Sequence, residues 1–83
     1  MANNVDISNK EECVQELREL VAYNIRRLRL KRGISQRDLA AWCNFEYPNM
    51  CRIESGRMNI TLQTMARIVS ALDVEVTELF RAR

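Results

Sequence analysis

The sequence predicts an all-α fold of five helices, of which the first is the longest. Apolar residues recur at spacings of three and four along most of the chain, which is typical of amphipathic helices. No stretch alternates apolar and polar residues in the manner of a strand. The chain has 83 residues, enough for one small domain. We therefore predict a single domain over residues 10–83, preceded by a polar, disordered segment over residues 1–9.

The first predicted helix runs from about Lys10 to Lys31. Its apolar stripe consists of Val14, Leu17, Val21, Ile25 and Leu28, and Leu20 and Leu30 widen it. Ser8 or Asn9 can cap its start, and Gly33 ends it. The acidic residues cluster in its first half, so we do not expect this half to approach a polyanion.

Residues 35–56 predict two short helices joined by a tight turn. Ser35 is a favourable N-cap for the first of them, and Asp38 can bond back to it as in a capping box. Asn44 tolerates the left-handed backbone that such a turn requires. The second short helix runs from about Tyr47 to Ser55 and is followed by Gly56. Helix, short turn and helix is the arrangement that places a second helix in the major groove of DNA.

The apolar residues of this segment define its inward face. Leu39 and Ala40 point inward in the first short helix, and either Trp42 or Cys43 completes that face. In the second short helix the buried positions are Met50 and Ile53.

Two further helices complete the predicted fold. Thr61 is the expected N-cap of a helix over Leu62 to Leu72, and Asp73 takes the left-handed position after it. The buried face of that helix consists of Leu62, Met65, Ile68, Val69 and Leu72. A short fifth helix is predicted over about Val76 to Arg81.

Composition narrows the possible functions. Residues 1–25 are net acidic, whereas residues 26–57 are net basic, so the positive charge coincides with the helix-turn-helix and favours a polyanionic partner. The chain has three cysteines, widely spaced, and no histidine, so we expect no metal and no cofactor. With few candidate nucleophiles and little room for a pocket, we expect no enzymatic activity and no small-molecule ligand. No apolar run approaches the length of a membrane span and no signal peptide is evident, so we expect a cytoplasmic protein without a membrane partner.

Residues 25–80 resemble the phage-repressor and Cro type of helix-turn-helix domain, also called the XRE family. The resemblance is carried by IRRLRLKRGISQRDLA and by MCRIESGRMNITLQTMARIVSALDVEVTELF. It implies a five-helix lambda-repressor-like DNA-binding domain, here with an extended N-terminal helix. A restriction-modification controller, a phage-type repressor and an antitoxin all suit a small member of this family, and the sequence does not separate them.

The resemblance also implies which residues meet double-stranded DNA. The base-facing set is Gln36, Tyr47, Pro48, Asn49 and Arg52, and the phosphate-contacting set is Ser35, Arg37, Arg57 and Asn59. Arginine can pair with guanine and asparagine with adenine, which agrees with Arg52 and Asn49. Gln36 is expected to brace the second short helix against a phosphate or base, whereas Arg37 could instead be a surface partner of Asp38 or Glu46. Arg29 and Glu54 match a buried structural ion pair of the family.

The resemblance predicts a sequence-specific transcription regulator that binds a palindromic operator as a homodimer through residues 47–55. Its dimer interface is expected at Val76, Leu79 and Phe80, which could equally be core residues. The alternative is a protein-interaction module on the same fold that does not read DNA. Glu46 and Pro48 favour this alternative, because neither is a usual cap or reader at its position, and so does the long N-terminal helix.

Overall fold

The computed structural model describes residues 10–83, which form four α-helices and one 3₁₀ helix. The α-helices are α1 (Lys10–Lys31), α2 (Gln36–Cys43), α3 (Tyr47–Glu54) and α4 (Leu62–Leu72), and the 3₁₀ helix covers Val76–Phe80. No strand occurs within this range, so the predicted all-helical fold is confirmed. The predicted disordered segment, with the candidate caps Ser8 and Asn9, lies outside the described residues.

The fifth predicted helix differs from the expectation. It is a 3₁₀ helix of five residues that ends at Phe80, not an α-helix reaching Arg81. Its Glu78 amide donates to the Glu75 carbonyl, three residues back, at 3.0 Å. Helical runs of only a few residues commonly adopt this tighter winding.

The helix boundaries follow local signals in the sequence. Ser35 accepts a hydrogen bond from the Asp38 amide, and the Asp38 carboxylate accepts one from the Ser35 amide, which completes the capping box. Asn44 and Asp73 adopt left-handed backbone conformations with φ of 59° and 55°. Among the four α-helices, one boundary differs from the predicted one: α3 ends at Glu54, and Ser55 is its C-cap.

All four α-helices and the 3₁₀ helix contribute to one apolar core. Its fully buried members are Ile25, Leu39, Met50, Ile68, Leu72 and Leu79. Cys43 completes the inner face of α2, whereas Trp42 is exposed. Burial raises the pKa of the Cys43 thiol to about 11, although nearby Arg67 opposes the change.

Three residues predicted to be buried, Leu17, Leu30 and Leu62, are largely exposed. Leu62 is 81% exposed because it is the first residue of α4, at the edge of the core. Leu17 lines an open cavity together with Ile53 and Phe80, and Leu30 lies in the last turn of α1. Periodicity identified the correct face of each helix but not how far along the helix that face is covered.

The C-terminal segment is fastened to α1 by polar contacts. The buried Asn24 amide donates to the carbonyl oxygens of Leu79 at 3.0 Å and Arg81 at 2.8 Å. Arg27 forms an ion pair with Glu78 at 3.1 Å. Leu79 is therefore a core residue, and its expected place in a dimer interface is wrong because its side chain has no exposed surface. None of the helices in the described range is long and apolar enough to cross a membrane.

Candidate nucleic-acid interface

An ion pair between α1 and α3 sets the position of α3. The guanidinium of Arg29 binds the carboxylate of Glu54 through two hydrogen bonds, of 2.6 and 3.0 Å. The two side chains are only 9% and 3% exposed. Arg29 also donates to the carbonyl of Ile34 at 2.9 Å, just before α2. One side chain thus connects α1, the start of the helix-turn-helix and α3.

Gln36 links α2 to the same carboxylate. It is the first residue of α2, and its Nε2 donates to Oε1 of Glu54 at 3.1 Å. Its Oε1 accepts from the thiol of Cys51 on α3 at 3.5 Å. The two bonds fix the orientation of the amide, so Gln36 braces α3 through contacts within the protein.

The outer face of α3 carries the polar residues expected to face bases. Tyr47, Pro48 and Arg52 are exposed, and Asn49 is partly buried. Nη1 of Arg52 donates to Oδ1 of Asn49 at 3.2 Å. A bidentate pair between Asn49 and adenine uses both the oxygen and the nitrogen of the amide, and the oxygen has a second lone pair that remains available beside the bond from Arg52.

Arg37 stacks on Tyr47. Its guanidinium carbon lies 4.1 Å from the centre of the Tyr47 ring, within cation–π range. The contact joins the first turns of α2 and α3. The sequence had left open that Arg37 pairs with Asp38 or Glu46, and in the structure it stacks on Tyr47. The pKa of Tyr47 is raised above its ordinary value. The main cause is a hydrogen bond with the Cys51 thiol, and the positive charge of Arg37 opposes the change.

The residues expected to contact phosphate lie at two places. Ser35 and Arg37 are at the start of α2, where the Ser35 side chain also serves the capping box. Arg57 and Asn59 are exposed in the loop that follows α3. Asn59 accepts a hydrogen bond from Nε of Arg18 on α1 at 2.6 Å. Sequence reasoning missed this contact, since no local pattern connects residues 41 positions apart.

Two helices joined by a tight turn, with an exposed polar face on the second helix and arginines around it, define the helix-turn-helix class of DNA-binding domains. The model of the Cro/C1-type helix-turn-helix DNA-binding domain matches residues 24–82. The chain therefore belongs to this family.

Individual relatives agree with the family match. A hypothetical transcription factor from Neisseria meningitidis is 32% identical over 79 residues, which cover 95% of this chain and 74% of the relative. The crystal structure of the Neisseria factor superposes with a TM-score of 0.76 at 34% identity, covering 81% of this chain and 75% of that one.

Two further proteins extend the comparison. An uncharacterised helix-turn-helix transcriptional regulator from Sinorhizobium fredii is 34% identical over 64 residues, 77% of this chain and 83% of the relative. The restriction-modification controller protein C.AhdI from Aeromonas hydrophila has a similar structure, with a TM-score of 0.73 and 30% identity. That match covers 76% of this chain and 96% of C.AhdI.

Proposed function

We propose that this protein is a sequence-specific transcription regulator that reads DNA with the outer face of α3. The observation that carries the proposal is the division of α3 into two faces. Met50, Ile53 and Glu54 anchor its inner face, whereas Tyr47 and Arg52 are exposed on its outer face. A rigidly held helix with exposed hydrogen-bonding side chains suits insertion into a major groove.

The proposed readers differ in what they offer to a base pair. Arg52 presents a guanidinium that can pair with O6 and N7 of guanine, and Asn49 presents an amide suited to adenine. Tyr47 and Pro48 add apolar contact surface at the N-terminal end of α3. Gln36 lies beside this face, with its amide fixed by α3.

Backbone contacts surround the proposed reading face. Ser35 and Arg37 at the start of α2, with Arg57 and Asn59 after α3, would bind phosphates on either side of the groove. Arg37 is already ordered by Tyr47, so it loses less side-chain freedom on binding than a free arginine.

We further propose that the regulator acts as a homodimer on a palindromic operator. About four reading residues contact few base pairs, and each matched pair contributes only about 1–3 kcal/mol of discrimination. A two-fold dimer doubles the contacted sequence and spaces its half-sites by about 34–36 Å. Val76 and Phe80, 47% and 43% exposed, offer apolar surface for this dimer at the C-terminal segment.

The primary test is selection of bound duplexes from a random DNA library at low and at moderate salt. We expect recovery of a two-fold symmetric sequence with half-sites about one helical turn apart, and affinity that falls steeply with salt. Salt-sensitive retention without a common sequence would contradict sequence-specific reading. No retention at either salt concentration would contradict DNA binding itself and favour a protein-interaction module.

Sedimentation equilibrium tests the proposed dimer surface separately. Val76→Lys should weaken dimerisation, because it places a charge in the apolar contact. Trp42→Lys is the matched control, since Trp42 is similarly exposed but lies on α2. Equal weakening by both variants, or by neither, would contradict the proposed surface.

A further inference from the structure

Two side chains of α1 hold the loop between α3 and α4. Nε2 of Gln15 donates to the carbonyl of Gly56 at 3.3 Å, and Nε of Arg18 donates to Oδ1 of Asn59 at 2.6 Å. Arg18 also donates to Oε1 of Gln15 at 3.1 Å, which joins the two contacts. The loop is therefore attached to α1 near both of its ends.

The first residue of the loop lies directly against α1. Gly56 has a φ of +75°, and a Cβ placed on it would lie 3.4 Å from Cγ of Glu19. The left-handed backbone favours glycine here, and the close approach places the loop on the surface of α1. The position of the loop relative to α3 thus depends on the N-terminal half of α1.

The contact with Arg18 determines which way the amide of Asn59 faces. A guanidinium can only donate hydrogen bonds, so Asn59 must direct its oxygen toward Arg18. Asn59 is exposed, and the other end of its amide is an NH₂ group with two donors. Phosphate oxygens only accept hydrogen bonds, so the exposed end has the chemistry that binds a DNA backbone.

We propose that Arg18 is a positioning residue for DNA binding, which orients Asn59 so that its NH₂ group binds a phosphate. The inference rests on the proposed function. It extends the interface to α1, a helix to which the family resemblance gave no role in DNA binding. Arg18 acts through Asn59 because two of its donor nitrogens are already engaged, Nε by Asn59 and Nη1 by Gln15.

The surroundings of Arg18 argue against a direct contact with phosphate. Glu11, Glu12, Glu16 and Glu19 are exposed on the same half of α1 and repel a phosphate that approaches this helix. Asn59 lies at the border of this region, in a groove that Lys10 and Glu11 also line, and Arg57 in the same loop supplies a positive charge that favours a phosphate there. The helix therefore supports the contact without making it.

A double-mutant cycle on DNA affinity tests the proposal. We compare the wild type with Arg18→Ala, Asn59→Ala and the double variant on the duplex selected above. Each single variant should weaken binding by about 3- to 10-fold, the range that corresponds to one hydrogen bond. The double variant should bind no more weakly than Asn59→Ala alone, because Arg18 has no effect once its partner is absent.

Arg26→Ala is the matched control. It removes the same charge from an exposed position of α1, among residues apart from the loop. Its effect should be smaller and should add to that of Asn59→Ala. Equal effects of Arg18→Ala and Arg26→Ala would show that general electrostatics, not orientation of Asn59, is responsible, and would overturn the proposal.

Salt dependence separates positioning from direct contact. Arg18→Ala should leave the slope of log affinity against log salt unchanged, whereas Arg57→Ala should reduce it by about 0.9, the value for one phosphate contact. Additive losses in the cycle, or a reduced slope for Arg18→Ala, would overturn the proposal while leaving DNA binding intact. Failure of the wild type to bind any duplex would overturn the proposed function as well.

Folding is checked by thermal unfolding of each variant. Arg18→Gln supplies a neutral donor for Oδ1 of Asn59 if Arg18→Ala does not fold. Arg18→Gln should bind DNA more tightly than Arg18→Ala. If Arg18→Ala does not fold, the affinity of Arg18→Gln should be close to that of the wild type. Binding by Arg18→Gln that is as weak as that of Asn59→Ala would contradict the proposed role of the donor.

Discussion

The inner and outer faces of α3 are held by different interactions. On the inner face, Met50 and Ile53 are buried in the core and Glu54 is paired with Arg29. On the outer face, the Arg52 side chain donates a hydrogen bond to its neighbour Asn49, and Tyr47 stacks with Arg37. The interactions that place the helix are therefore separate from those available to DNA. Substitutions on the two faces should produce different defects.

The largest expected effect comes from the inner face. Glu54→Ala leaves the buried Arg29 charge without its partner, which should lower the free energy of unfolding by about 3–5 kcal/mol. Urea denaturation followed by circular dichroism measures the loss. Replacing both partners, with Arg29→Met and Glu54→Leu together, should recover most of the stability, since no unpaired buried charge remains. A double variant as unstable as Glu54→Ala would contradict this reasoning.

Substitutions on the outer face of α3 should change the sequence specificity of DNA binding more than the stability of the fold. Arg52→Ala should relax the preference at one base position by about 1–3 kcal/mol, with little change in the urea midpoint. Arg57→Ala should weaken binding to all duplexes alike. Competition between the selected sequence and its single-base variants distinguishes the two. If Arg52→Ala selects the same sequence as the wild type, the assigned reading face is wrong.

The N-terminal ends of α2 and α3 differ in whether a side chain caps the helix. Ser35→Ala removes the capping box of α2 and should cost about 1 kcal/mol of unfolding free energy. The Glu46 side chain makes no capping bond to α3, so Glu46→Ser should stabilise the protein by up to about 1 kcal/mol. Thermal unfolding measures both. A stability loss on Glu46→Ser would show that Glu46 contributes in another way.

A buried thiol adds an effect that depends on pH. The folded state raises the pKa of Cys43 from its ordinary 9.0 to about 11, so it favours the protonated thiol. This contribution to stability is complete below pH 9 and is lost as the pH rises toward 11. Stability measured against pH should therefore decline less above pH 9 in Cys43→Ala than in the wild type. Parallel curves would contradict the shift.

Local signals predicted the parts of the fold that depend on a few neighbouring residues. The capping box at Ser35 and the left-handed Asn44 and Asp73 depend on side-chain and backbone chemistry within one turn. The extent of the core was harder to predict. Leu62 has the correct helical spacing for burial, yet it is exposed because burial depends on which elements end nearby.

Much of the candidate site depends on contacts distant in sequence. The family resemblance and the chemistry of base pairing pointed to Arg52 and Asn49, but not to the bond between them. They gave no indication that Arg18 reaches Asn59 or that Asn24 fastens the C-terminal segment. Such pairs lie dozens of positions apart and have no periodic pattern that a single sequence reveals.

The sequence by itself determined the four α-helices, the tight turn and the basic charge around the proposed reading face, because capping, turn chemistry and periodicity act over a few residues. Only the tertiary structure decided which side chains from different helices come into contact. Packing α1 against α3 and the loop after it brings Arg29 to Glu54 and Arg18 to Asn59, and packing the 3₁₀ helix against α1 and α4 removes Leu79 from the surface. These outcomes depend on distances between separate elements, which follow from how their faces pack together in the core.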